Sequence, residues 1–133
     1  MVSAISSILP ERLKFKATIV QLILNKQPEE AIDRLSAYYK ISPPKLKIGR
    51  VKGHHKSLAV YLSTKKTIFT SNQICLFDPR IILHEYYHHL RSREGKHKGN
   101  EKYADKFAQD FIAGYNVYIA QAGKFRKNTY MTD

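Results

Sequence analysis

Apolar residues recur at helical spacing towards both ends of the chain and in short extended runs near its middle, which predicts helices packed with a small sheet. Between about Pro10 and Asn25, the residues Leu13, Ala17, Val20 and Leu24 form one stripe, with Lys14, Lys16 and Gln21 elsewhere, as in an amphipathic helix. Pro28, Glu29 and Glu30 open a second helix with the stripe Ile32, Leu35 and Tyr38 or Tyr39, and Ser42-Pro43-Pro44 ends it. Leu46 to Val51 and Leu58 to Leu62 read as strands joined into a hairpin by Lys52-Gly53-His54-His55-Lys56. Thr67 to Ser71 is a further strand, and Gln73 to Phe77 runs on to Asp78.

Helical periodicity then returns. Asp78 suits an N-cap and Pro79 a first helical position. At roughly 100° per residue, Ile81, His84, Glu85, His88 and Arg91 share one side of the helix, while Leu83, Tyr86, Tyr87 and Leu90 cover the other. Gly99 and Asn100 introduce another helix whose stripe reads Glu101, Ala104, Asp105, Ala108, Phe111, Ile112, Tyr115 and Ile119. Gly114 marks a bend or close packing in it, and Gly123 its end. The fold class is therefore α+β, a small mixed or antiparallel sheet packed with helices, in a single domain over residues 1–123 with a flexible basic tail over 124–133.

Composition narrows the classes. A chain of 133 residues, 43% hydrophobic, suits one modest core and leaves no room for a second domain. No run approaches the roughly 20 apolar residues of a membrane span, and the start lacks the basic residues of a secretory leader, so a soluble, cytoplasmic protein with no membrane partner is expected. The one cysteine, Cys75, lies in an apolar run and reads as a core residue. Lys and Arg number 23 against 11 acids, a net charge of +12, and no acid occurs between Arg34 and Phe77. That basic 34–77 sector reads as a solubilising face or as an electrostatic footprint for nucleic acid or an acidic substrate. Its aromatic residues interleave only weakly with its cations along the sequence.

The chemistry concentrates at Ile82 to Leu90, which contains His84-Glu85-Tyr86-Tyr87-His88. Histidines four apart on a helix converge on one metal, with Glu85 beside them near a metal-bound water. Such a pattern also arises by chance, and the next helix supplies the context. Glu101 and Asp105 stand at the end of what should be its apolar face, where burying two unpaired carboxylates would cost several kcal/mol each. A cation between the two helices, one Zn²⁺ per chain, removes that cost. His54 and His55 are adjacent in a turn, where side chains diverge, and read as surface residues.

These residues make the chain resemble the gluzincins, thermolysin-like zinc metallopeptidases with His-Glu-x-x-His followed by Glu-x-x-x-Asp on the next helix. The match is closest to the minigluzincins and the catalytic domains of ImmA/IrrE-type peptidases, and covers about residues 57–120. The resemblance implies a zincin-like active-site helix and a following glutamate helix. It implies that His84, His88 and Glu101 bind the metal, that Glu85 is the catalytic base, and that Asp105 holds a histidine tautomer. Arg91 and Glu94 stand where a metzincin would carry Gly and His. SprT-like peptidases use a third histidine in this part of the chain, which makes His97 a rival to Glu101. The implied function is hydrolysis of peptide bonds in protein or peptide substrates, with an extended substrate paired to an edge strand at residues 67–71 or 58–62. Tyr115, His97 and Tyr130 are the candidates for steadying the oxyanion. Minigluzincins are described as latent because a terminal segment occupies the cleft; here the segment after Gly123 is long enough, if extended, to reach back to the metal face, where a carboxylate of Asp133 could displace the zinc water. The contrasting expectation is a non-catalytic, basic nucleic-acid-binding or regulatory protein with a structural zinc site.

Overall fold

The computed structural model describes residues 10–54, 56–92 and 100–131, with side chains through residue 123. Among the described residues it is an α+β fold of five helices and one three-stranded sheet: α1 (Glu11–Leu24), α2 (Pro28–Tyr39), β1 (Lys45–Ile48), β2 (Ala59–Leu62), β3 (Thr67–Thr70), α3 (Gln73–Leu76), α4 (Pro79–Arg91) and α5 (Glu101–Met131). Among the described residues, no helix is long and apolar enough to cross a membrane.

The core lies where α1, α2, α4 and α5 meet one face of the sheet. Ile19 and Ile23 of α1, Leu35 of α2, Ile68 of β3 and Ile82, Leu83 and Tyr86 of α4 are fully buried in it. The α1 stripe is rotated from its expected position, since Leu24 is exposed and Ile19 and Ile23 take the deepest places. The buried Tyr86 phenol shares a 3.1 Å hydrogen bond with the Ser36 hydroxyl, and burial pushes its pKa up to about 12. Cys75 is buried, as its apolar surroundings require.

The strand order is β1-β3-β2, with β1 parallel and β2 antiparallel to β3. Two expectations are overturned here. β1 and β2 do not form a hairpin, because β3 lies between them; the hairpin is β2–β3, closed by Ser63 to Lys66. That turn holds Lys66 at φ 49, a left-handed conformation normally signalled by Gly or Asn. Gly53, at φ 86, does turn the chain, but within the longer connection that carries it past the end of β3. Consequently residues 67–71 are central, and the edge strand beside α4 is β2, at residues 59–62. The segment 73–77 is also not extended: Asn72 caps a one-turn helix, its side chain accepting from the Cys75 N–H at 3.0 Å.

Three end signals were legible and one was not. Asp78 Oδ1 accepts from the Arg80 and Ile81 N–H groups at 2.9 and 3.4 Å, with Pro79 first in α4. Asn100 Oδ1 accepts from the Tyr103 N–H at 3.0 Å and starts α5. Lys40 closes α2 in the left-handed region, just ahead of the prolines. Gly123, however, does not end α5, which continues as helix to Met131. The segment expected to be a flexible tail is thus helical backbone through Met131, and Asp133 lies outside the described residues. Gly114 marks close packing, since a Cβ there would stand 3.0 Å from Lys16 Cδ and 3.1 Å from Lys16 Cβ of α1.

Candidate metal centre

Two helix ends build the site. The middle and end of α4 carry His84, Glu85 and His88, and the first turns of α5 bring Glu101 and Asp105 across from them. Glu101 spans the two imidazoles: its Oε2 lies 2.9 Å from His84 Nε2 and its Oε1 lies 2.6 Å from His88 Nε2. His84 and His88 are mostly buried, whereas the Glu101 side chain is 77% exposed and Asp105 53%. This changes the reason for the acids. They sit on the rim of the core rather than inside its apolar face, so the cost of burying unpaired carboxylates does not account for them. Their direct pairing with histidines does.

Asp105 Oδ1 lies 2.8 Å from His84 Nδ1. An ionised carboxylate can only accept, so Nδ1–H donates to Asp105; that leaves Nε2, 2.9 Å from Glu101 Oε2, as the ring nitrogen that could give up a proton to take a metal between them. One ligand atom from each of His84, His88 and Glu101 falls within 4.8 Å of the others. Tetrahedral zinc with bonds near 2.0–2.2 Å holds its ligand atoms about 3.3 Å apart, a spacing between the shortest contact and that limit. Two neutral nitrogens and a carboxylate oxygen are also the donor types that open zinc sites use. The residues therefore fit a metal.

Glu85 lies beside them. Its carboxylate is 3.9 Å from His84 Nε2, and the side chain is only 11% exposed. Burial raises its pKa to about 7; Glu101 adds to the rise, while His84 and a backbone hydrogen bond from Tyr61 oppose it. A carboxyl poised near neutrality can both take and return a proton.

The Tyr61 contact follows from the sheet register. Ser71 N–H donates to the Leu58 carbonyl at 2.8 Å, and alternation along the antiparallel pair turns the backbone groups of Leu58, Val60 and Leu62 towards β3. Those of Ala59 and Tyr61 face the open edge, next to Glu85. Sequence reasoning missed Tyr61 and its partner His89, because nothing local marks a strand tyrosine that meets a helix 28 positions later.

Other candidates lie elsewhere. Tyr115 stands about 21 Å along α5 from Glu101; its hydroxyl donates to Gln21 Oε1 at 3.2 Å, and it lines a cavity of about 530 Å³ between α1 and α5. Tyr130 is about 43 Å along the same helix from Glu101. Both positions on the helix are thus far from His84, His88 and Glu101. His97 and His55 lie outside the described residues, and His54 is exposed. Comparison with protein-family models, with curated proteins and with solved structures finds no match to this chain.

Proposed function

We propose that this protein is a zinc-dependent metallopeptidase of the gluzincin kind, with His84, His88 and Glu101 as metal ligands and Glu85 as catalytic base. The observation that carries this reading is the meeting of both imidazole Nε2 atoms on the Glu101 carboxylate, with Glu85 at its side. Zinc bound there would polarise a scissile carbonyl and lower the pKa of a water to about 7. Glu85 takes the proton of the attacking water and returns it to the leaving amine, which requires its pKa to lie near neutrality. Asp105 keeps the His84 proton on Nδ1 and so holds Nε2 ready as a ligand. The β2 edge, with Ala59 backbone groups turned outward, suits an extended peptide paired alongside Glu85.

Tail latency is not part of this proposal, because α5 leads away from the ligands and stays helical through Met131. The rival is a structural zinc site in a non-catalytic protein. The two separate at Glu85→Gln, assayed for zinc content and for cleavage of a peptide library. The peptidase reading expects one zinc per chain retained and cleavage lost. Wild-type protein that is fully zinc-loaded and cleaves nothing in the library sinks it.

A further inference from the structure

Strand register exposes an arrangement hidden in the linear order of residues. Leu46 of β1, Tyr61 of β2 and Ile68 of β3 pack into the core, which assigns the inner face of the sheet. By alternation, and with Lys45 opposite Thr67, Lys47 opposite Phe69, Val60 opposite Phe69 and Leu62 opposite Thr67, the outer face holds Lys45, Lys47, Phe69, Val60, Leu62 and, buried at one end of its central strand, Thr67. Phe69 is central, half-buried and outside the core cluster, flanked by Lys47 on one side and Val60 on the other. Gly49 follows at the end of β1, and even an added Cβ would come no nearer than 4.0 Å to the Phe69 ring. One ring on a sheet face is thus bordered by a row of lysines.

The charge around this face has one sign. Lys65 and Lys66 are exposed in the turn at one end and Lys52 at the other, and the sheet with its connections, residues 45–72, contains no acid. Outside the sheet, Glu29 and Asp33 of α2 line one cleft together with Lys45 and Lys47. An acidic protein would satisfy the lysines but would have no use for an aromatic ring beside them. A single nucleic-acid strand uses both, since a base stacks on the ring while phosphates meet the cations. A duplex cannot, because its bases are already stacked.

We propose that the outer face of the sheet binds single-stranded nucleic acid, with Phe69 stacking a base and Lys45 and Lys47 contacting the phosphates on either side. The surface lies on the face of the sheet turned from the core, so it acts independently of any peptidase chemistry.

The test uses the full chain and a fluorescein-labelled 20-nucleotide oligothymidylate in anisotropy titrations from low to physiological salt. Binding should weaken linearly in log salt, and the unlabelled duplex of the same length should compete more weakly than the strand. Lys45→Gln with Lys47→Gln should flatten the slope by about 1.4, from roughly 0.7 per phosphate contact on single strands. Phe69→Leu should lower affinity about 5- to 150-fold, the range of one lost base stack, while Phe69→Tyr keeps it. The tyrosine variant separates loss of stacking from loss of fold. No binding at 50 mM salt, equal affinity for wild type and Phe69→Leu, or displacement by polyglutamate as readily as by unlabelled strand would each overturn the proposal, the last by leaving only a surface for acidic polymers.

Discussion

The Tyr61 hydroxyl donates a 2.8 Å hydrogen bond to His89 Nδ1 and so ties the edge strand β2 to α4 one residue past His88. The direction is fixed from the far side of the ring. His89 Nε2 lies 2.8 Å from the Ser42 carbonyl, which can only accept, so the proton is on Nε2 and Nδ1 must accept. Burial holds the His89 pKa below its ordinary 6.5, the Ser42 bond opposes this, and Lys66 reinforces it. A depressed pKa on a base means the folded state favours the neutral ring. The resulting stability is fully present above pH 6.5 and shrinks as pH falls through that value. Replacing His89 by Gln should therefore lower the urea midpoint at pH 8, and the gap to wild type should narrow by pH 5. A gap that widens on acidification would mean the ring is charged in the fold.

Tyr61→Phe removes one hydroxyl and leaves His89 Nδ1 without its donor. Loss of a half-buried hydrogen bond is expected to cost about 1 kcal/mol in chemical denaturation. Because the Tyr61 backbone meets Glu85, the same change should loosen the β2 edge. Under the peptidase reading, KM for extended peptides should rise more than kcat falls, with zinc content unchanged. Lost zinc would instead make Tyr61 part of the support of the metal ligands.

His84→Ala, His88→Ala and Glu101→Ala should each abolish tight zinc binding, measured by competition with a chromogenic chelator. Asp105→Asn should weaken it roughly 10- to 100-fold, because an amide can present its N–H to Nδ1 and favour the wrong tautomer. Affinity unchanged by Asp105→Asn would reduce the 2.8 Å contact to an incidental pairing.

These four residues were legible because each is positioned by periodicity on a helix whose cap is written beside it, Asp78 for one and Asn100 for the other. Pairing between strands has no such local marker. Lys66 adopts a left-handed turn without being Gly, so the true hairpin was unmarked, while Gly53 advertised a false one. Glu101 and Asp105 stand at the helix positions their periodicity predicts but are exposed rather than buried, because periodicity locates a residue around the axis and not its depth at a helix end. His89 and Tyr61 escaped for a related reason, since their bond joins elements that only the finished fold brings together.

Glu85 gives a prediction with the opposite pH sense. Its pKa, ordinarily 4.5, is raised to about 7, first by burial, so in the metal-free protein the folded state keeps a proton that the unfolded state releases. Stability from this group is highest below pH 4.5 and is lost as pH rises towards 7, on the order of 3 kcal/mol. Metal-free Glu85→Gln should match wild type near pH 4.5 and exceed it in urea midpoint at pH 8. If the two proteins unfold at the same urea concentration at both pH values, Glu85 is not held in a desolvating site.

Close packing at Gly114 anchors α5 on α1. At Gly114 two effects compete. Alanine in a helix interior is favoured over glycine by about 1 kcal/mol, but its Cβ would stand 3.0 Å from Lys16 Cδ and 3.1 Å from Lys16 Cβ. The Cδ atom can swing aside, although Lys16 is held by its ion pair with Asp110 at 2.5 Å. The Cβ atom cannot move without shifting α1, whose Ile19 and Ile23 are fully buried in the core. Overpacking of this kind typically costs 1–3 kcal/mol, so it outweighs the propensity gain. Gly114→Ala should be neutral to modestly destabilising, and Gly114→Val clearly destabilising by about 2 kcal/mol or more, since its branched Cβ also points methyls at Leu13. An increase in thermal midpoint for the valine variant would show that α1 and α5 can separate without loss, and that glycine is not what lets them approach.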